Sequence, residues 1–281
     1  MAQGEARMIQ RTIPSSGEML PVIGLGTSRV FDAGSSAAER EPLEQVLAVL
    51  ARNGGKLVDT SPMYGRAEGV TGELAAKLKL QGKLFLATKV WTTGRAEGIK
   101  QMERSLDLLG TKKIDLIQVH NLIDLETQLA TLREWKKQGR VRYIGITHYT
   151  EGSQAEVARV LEKQPLDFVQ INYSLMEDEA DKRVFPVAKE REVAVIVNRP
   201  LGRGDLFNRV RGKALPNFAE EIDCNSWAQF FLKWIVANPA VTCAIPATSK
   251  PHHMEDNMQA CFGRLPDEKM RKRMEKAVAA L

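Results

Sequence analysis

The sequence predicts an α/β protein, a (β/α)8 TIM barrel with an N-terminal β-hairpin and a C-terminal helix. Three observations carry that prediction. Eight short β-branched or apolar runs occur along the chain. The stretches between them carry apolar residues at helical spacing. Strand then helix, repeated eight times with no linker or internal sequence repeat to divide the chain, is the pattern of a closed parallel barrel. A length of 281 residues suits one such barrel, because this architecture typically takes about 250 residues. The expectation is a single domain over residues 1–281.

The elements follow in order. Met8 to Ile13 and Glu18 to Pro21, joined by Pro14-Ser15-Ser16-Gly17, read as a hairpin that plugs the N-terminal end of the barrel. The strands are Val22 to Gly26, Lys56 to Thr60, Leu84 to Lys89, Ile114 to His120, Arg142 to Thr147, Asp167 to Asn172, Val193 to Asn198 and Val241 to Pro246. Leu43, Val46, Leu47 and Leu50 mark the first helix, and Leu125, Leu129, Leu132 and Trp135 the fourth. Gly139, following Lys136 and Lys137, is the stop of that fourth helix, where basic residues complement the helix dipole. Gly202 to Asp223 is longer than ordinary connections and reads either as a cofactor-covering loop or as a solvated one. An amphipathic helix from Asp267 leads to Leu281.

Composition narrows the function classes. With 43% hydrophobic and 27% charged residues, the chain has the make-up of a soluble globular protein. The net charge of +5 is spread along the chain without a block of like charges, so no nucleic-acid partner is expected. The basic excess would still attract a phosphorylated cofactor. Cys224, Cys243 and Cys261 fit neither a disulfide framework nor a zinc knuckle, and read as buried or incidental thiols with no metal site. Met1 to Arg7 lacks the apolar core of a signal peptide and no run is long enough to span a membrane. A cytoplasmic protein is expected from the sequence as it stands; a trimmed leader would leave no trace in it.

Four polar residues concentrate at one face of the expected barrel. Asp59, Lys89 and His120 end the second, third and fourth strands, and Tyr64 follows Asp59 within LVDTSPMYG. Active sites of these barrels form where the C-terminal strand ends meet. A phenol, with a reference pKa of about 10, donates a proton poorly at neutral pH unless a nearby cation lowers that value. Lys89 would supply the cation, Asp59 would keep Lys89 charged, and His120 would hydrogen-bond and orient a carbonyl. Taken one at a time, each has a plain reading: a turn or cap for Asp59, a rim residue for Lys89, turn packing for Tyr64, a core histidine for His120. Their joint placement on successive strand ends points to proton transfer at a bound carbonyl.

These stretches resemble the aldo-keto reductase family nearly end to end. The matching segments are GLGT from Gly24 to Thr27, DTSPMYG, ATK, IQVHN, GRVRYIGIT, VQINYS, RPLGRG and IPATSKPHHMEDN. The resemblance implies a barrel that binds NADP(H) in extended form, with Tyr64 as general acid, Lys89 and Asp59 tuning it and His120 placing the carbonyl. It places Gly26 and Thr27 at the first-strand end near the cofactor and Asp59 near the nicotinamide ribose. It assigns Thr147, His148 and Gln170 to the carboxamide, although His148 stands where many relatives have asparagine. Asn198 and Arg199 occupy the position where relatives present an aromatic ring to the nicotinamide, and Arg199 would have to lay its guanidinium plane there instead. Pro200, Leu201, Gly202, Arg203 and Gly204 match the loop that follows the pyrophosphate. Thr248, Ser249, Lys250, His253 and Asn257 match the adenosine end, with Lys250 and helix N-terminal amides holding a 2′-phosphate. Histidine at position 253 and Ala247 depart from the basic residues of relatives, so NADPH is expected over NADH while NAD(H) stays open.

Tyr64, Trp91 and His120, with Met63 and Asn121, are the expected substrate wall, and Trp91 reads equally as rim packing. The leading expectation is NADPH-dependent reduction of aldehydes or ketones to alcohols. Oxidation of an alcohol or sugar hydroxyl by the same groups is the enzymatic alternative, and a nicotinamide-binding redox sensor the non-enzymatic one. The residues do not name the oligomeric state.

Overall fold

The computed structural model describes residues 7–281. The reading of Met1 to Arg7 as lacking a signal peptide therefore falls almost wholly outside the described residues. A hairpin of β1 (Gln10–Thr12) and β2 (Met19–Pro21) comes first. Then follow β3 (Leu25–Gly26), α1 (Ala37–Arg52), β4 (Leu57–Asp59), α2 (Ala67–Lys77), β5 (Phe85–Val90), α3 (Arg95–Leu109), β6 (Ile114–His120) and α4 (Leu125–Lys137). The second half holds β7 (Val141–Thr147), α5 (Gln154–Lys163), β8 (Phe168–Asn172), α6 (Val184–Glu190), β9 (Ala194–Asn198), α7 (Asp205–Arg209), α8 (Trp227–Val236), β10 (Val241–Ala244), α9 (Pro251–Gln259) and α10 (Glu268–Ala279).

Strands β3 to β10 form one parallel sheet in chain order, and the pairings of Ile23 with Ala244 and Gly26 with Ala247 bring its edges together into a nearly closed barrel. The predicted first and last strands are shortened. Pro246 has no N–H to donate, so β10 stops at Ala244 and the β3–β10 seam consists of single bridges, not a continuous ladder. The strands are buried on both faces, as parallel sheets covered by helices must be.

Ile13 and Leu20 of the hairpin are fully buried with Leu57, Phe85, Leu116, Tyr143 and Phe168 in the lumen, so the hairpin plugs the N-terminal end as the sequence predicts. Arg142 holds it there, donating to Asp115 at 2.6 Å and to Glu18, while the Tyr143 hydroxyl donates to Ser16 Oγ at 2.7 Å. The fourth helix ends as expected: Gly139 takes φ +74° and donates its N–H to the Lys136 carbonyl at 3.1 Å. Helix α10 is capped by Asp267, which accepts from Met270 N at 2.7 Å. All three cysteines are free and buried. No helix among the described residues is long and apolar enough to cross a membrane.

Candidate active site

The strand register brings the predicted residues to one end of the barrel. Gly26 pairs with Asp59, Lys89 with Gln118, His120 with Thr147, Thr147 with Gln170, and Asn172 with Asn198. A cleft of about 490 Å³ opens at this end, with Asp59, Tyr64, His120, Thr147, Gln170 and Asn198 on its walls.

Lys89 is almost fully buried. Its ammonium donates to both Asp59 oxygens, at 2.9 and 2.8 Å, and to the Thr60 carbonyl at 2.7 Å. Burial pulls the Lys89 pKa down, but Asp59 and Tyr64 outweigh it and hold the ammonium above its ordinary value of 10.5. The Lys89 nitrogen lies 5.0 Å from the centroid of the Tyr64 ring. Tyr64 is placed by its turn. Its N–H donates to Ser61 O at 3.0 Å, and Gly65 follows at φ +61° so close under Asp32 that a Cβ there would lie 2.4 Å from that carboxylate. Asp32 in turn accepts from Arg66 N at 3.1 Å and Nε at 3.2 Å, which straps the turn to the loop after β3.

The expected lowering of the Tyr64 pKa is corrected by this geometry. Burial is the largest influence and raises the phenol above 10.0, and the downward pull of Lys89 does not overcome it. In the free cleft the group is a neutral phenol. His120 is neutral too: burial first, then Lys89, pushes its pKa down to about 3. Its Nδ1 is buried without a partner among the described residues.

Other predicted residues fall outside the cleft walls. Trp91 is 42% exposed, and its backbone is tied away to Gln101, at 2.6 Å from its N–H and 3.2 Å to its carbonyl. Asn121 sits beyond the wall at φ +52°, whereas Met63 lines it. Thr27 is buried, donating its hydroxyl to Asp59 O at 2.9 Å. The His148 ring turns back on its own loop, Nδ1 accepting from Tyr149 N at 3.0 Å. Pro200, Leu201, Arg203 and Gly204 line the cleft, and Gly202 does not. Thr248, Ser249, Lys250, His253 and Asn257 lie past the cleft's Ala247, at the start of α9 and within it, with Thr248 Oγ1 accepting from Lys250 N at 3.0 Å. Burial, His252 and Lys250 lower the His253 pKa.

The long segment after β9 divides in two: Arg203, Gly204 and Phe207 reach the cleft, and the remainder to Asp223 packs elsewhere as a 3-10 turn over Asn217–Ile222. The sequence reading missed Arg29, Tyr149 and Phe207, all on the walls. Tyr149 and Arg29 each stand two residues past a predicted contact, Thr147 and Thr27, and loop residues directly beyond strand ends were the available signal. Arg199 does not lie free in the cleft: its guanidinium carbon sits 4.4 Å from the Tyr149 ring centroid.

Comparison with known proteins adds an independent line. The model of the aldo/keto reductase family matches residues 22–278. A methylglyoxal reductase of Escherichia coli is 29% identical over 258 residues, covering 89% of each chain. An aldo-keto reductase of Strobilurus tenacellus is 26% identical over 285 residues, covering 88% of this chain and 83% of the relative. Among solved structures, the holo form of an aldo-keto reductase from Bacillus halodurans superposes with a TM-score of 0.79 at 20% identity, covering 96% of both chains. An aldo-keto reductase of Klebsiella pneumoniae in complex with NADPH gives 0.79 at 23% identity, again over 96% of each. At these identities the structural likeness concerns the fold.

Proposed function

The chain belongs to the aldo/keto reductase family of oxidoreductases, and from that premise we propose that it reduces aldehydes or ketones to alcohols with NADPH, Tyr64 giving the proton. The observation that carries the reading is the buried Lys89–Asp59 pair beside the Tyr64 ring, in a cleft that also contains His120. The name of the methylglyoxal reductase relative supports the reductive direction.

The cleft fits a nicotinamide. Gln170 Oε1 accepts from Thr147 Oγ1 at 2.8 Å, and among the described residues Gln170 Nε2 and Asn198 Oδ1 are buried without a partner. A free donor and a free acceptor on neighbouring strands match a carboxamide, which offers one of each. Arg29 and Arg203 suit the diphosphate and Lys250 a 2′-phosphate.

When bound, the reduced nicotinamide supplies a hydride to the carbonyl carbon. His120, neutral, donates an N–H to the carbonyl oxygen and fixes its position. Tyr64 rests as a phenol because burial disfavours its anion, and so holds the proton to be given. As that proton leaves for the oxygen, the Lys89 ammonium stabilises the phenolate left behind, and Asp59 keeps the ammonium charged and in place.

Titrating NADPH and NADH by protein fluorescence, then following loss of reduced-cofactor absorbance over a panel of small aldehydes and ketones, tests the proposal. NADPH binding with turnover supports it. Failure to bind either cofactor rejects it.

A further inference from the structure

We propose that Arg199, held over the ring of Tyr149, is the anion-recognition residue of the substrate pocket, so that the substrate is a short aldehyde or ketone that also carries a carboxylate. This rests on the reductase reading and specifies its substrate class.

The direction in which Arg199 reaches is the first argument. It follows β9, yet its guanidinium lies over the ring of Tyr149, which follows β7, so the two side chains together bridge the mouth of β8. The residues beneath, Gln170 and Thr147, are in register with each other, and Thr147 is in register with His120. Arg199 thus lies on the His120 side. The diphosphate and adenosine part of the dinucleotide path assigned above runs the other way, through Arg203 and Gly204 to the start of α9 beside β10, and only its carboxamide end, at Gln170, reaches beneath Arg199. Arg29, in the loop after β3, the strand that meets β10 at the seam, also falls on that path.

The second argument is that the platform is built. Asn198 Nδ2 donates to His148 O at 3.1 Å, tying the end of β9 to the loop that carries Tyr149. The His148 ring stacks on the other ring at 5.8 Å and 27°. Arg199 itself takes φ +51°, a backbone conformation that a side-chain-bearing residue adopts at a cost. A guanidinium with one face covered keeps its N–H edge free, the geometry that grips a carboxylate with two parallel bonds.

The third argument is charge. None of Arg29, Arg199 and Arg203 is in an ion pair among the described residues, although all three line one cleft. Glu177, the acid that acts on Arg199 from a distance, already accepts from Asn172 Nδ2 at 2.7 Å. Burial, then Arg203, disfavours the Arg199 charge, and the opposite charge of an incoming carboxylate offsets both.

The test compares two four-carbon substrates with saturating NADPH: succinic semialdehyde, which carries a carboxylate, and butanal, which does not. The ratio of their kcat/KM values cancels general losses of activity. The wild-type ratio is expected to favour the acid by about tenfold or more, the scale of one desolvated polar recognition contact. Arg199→Gln should bring it to within about twofold of unity, mainly through KM for the acid, and Tyr149→Leu should lower it partway. NADPH affinity is measured by fluorescence in each variant. A wild-type ratio near unity overturns the proposal. So does an Arg199→Gln protein that loses NADPH affinity and keeps the ratio, because the arginine would then serve the cofactor. If neither substrate is reduced, the cofactor titration and carbonyl panel decide the reductase reading, and direct titration with butyrate against butyramide decides the anion site alone. Arg199-dependent preference for butyrate sustains it, and equal binding removes it.

Discussion

Lys89 is among the largest fully buried side chains, and its ammonium makes three hydrogen bonds with no water-facing surface left. Such a charge persists in a protein interior only when paired, so Asp59 is as much a structural requirement as a chemical one. Tyr64, one loop away, is half-buried and neutral. Tyr64→Phe keeps the ring and removes only the proton, so carbonyl reduction should fall by about 100-fold or more, the scale of general acid catalysis. NADPH affinity should stay near wild type in the same variant. Turnover near the wild-type rate would remove Tyr64 from its assigned role. His120 carries a second expectation. Its pKa is about 3 when folded against an ordinary 6.5, so below pH 6.5 the unfolded chain binds the proton that the folded one refuses. Stability contributed by the neutral ring is therefore present above the unfolded pKa and declines as the pH falls toward 3. The full withdrawal is on the order of 5 kcal/mol at 1.36 kcal/mol per pKa unit. In urea titrations between pH 7 and 4, His120→Gln should lose less stability than wild type, and parallel curves would show that the ring is not buried neutral. No activity limb near pH 6 should come from this residue.

The elements show which parts of the fold the sequence makes legible and which it does not. Helical spacing at Leu43, Val46, Leu47 and Leu50 and the stop at Gly139 translate directly, because each is a local periodicity or a local backbone requirement. The ends of β3 and β10 do not, since how far a ladder runs depends on a partner more than two hundred residues away and on the missing N–H of Pro246. The grouping of Asp59, Lys89 and His120 was legible because they stand at or beside the ends of adjacent strands, with Tyr64 in the turn after Asp59. The turn of Arg199 toward Tyr149 was hidden, because side-chain direction across the rim is a tertiary property. The pKa of Tyr64 was misread for a related reason: the nearby lysine is visible in the sequence, and the burial that outweighs it is not. The hairpin offers a prediction at this scale. Leu20 is fully buried in the lumen plug, so Leu20→Ala should leave a cavity costing about 2–5 kcal/mol. Because the plug is at the far end from the cleft, the denaturation midpoint should drop while NADPH affinity changes little. Loss of affinity matching the loss of stability would mean that the two ends of the barrel are coupled.

At the scale of the whole molecule, a net charge of +5 is modest, yet the cationic groups near the proposed cofactor path are Arg29, Arg203 and Lys250, none of them in an ion pair among the described residues. A dinucleotide approaching this face meets a positive field before it meets any contact, and salt shortens the reach of that field from about 10 Å at 0.1 M to about 3 Å at 1 M. NADPH carries one phosphate more than NADH, so its association rate should fall more steeply with ionic strength. Stopped-flow fluorescence over a tenfold range of salt measures both slopes. Lys250→Ala should bring the NADPH slope toward that of NADH, and should raise the NADPH dissociation constant more than the NADH one, because it removes the cation assigned to the extra phosphate. Dissociation rates should respond less to salt than association rates, since the bound cofactor is screened by the cleft. If the two cofactors show equal slopes in the wild type, Lys250 does not read the 2′-phosphate, and selection between them must come from contacts inside the cleft.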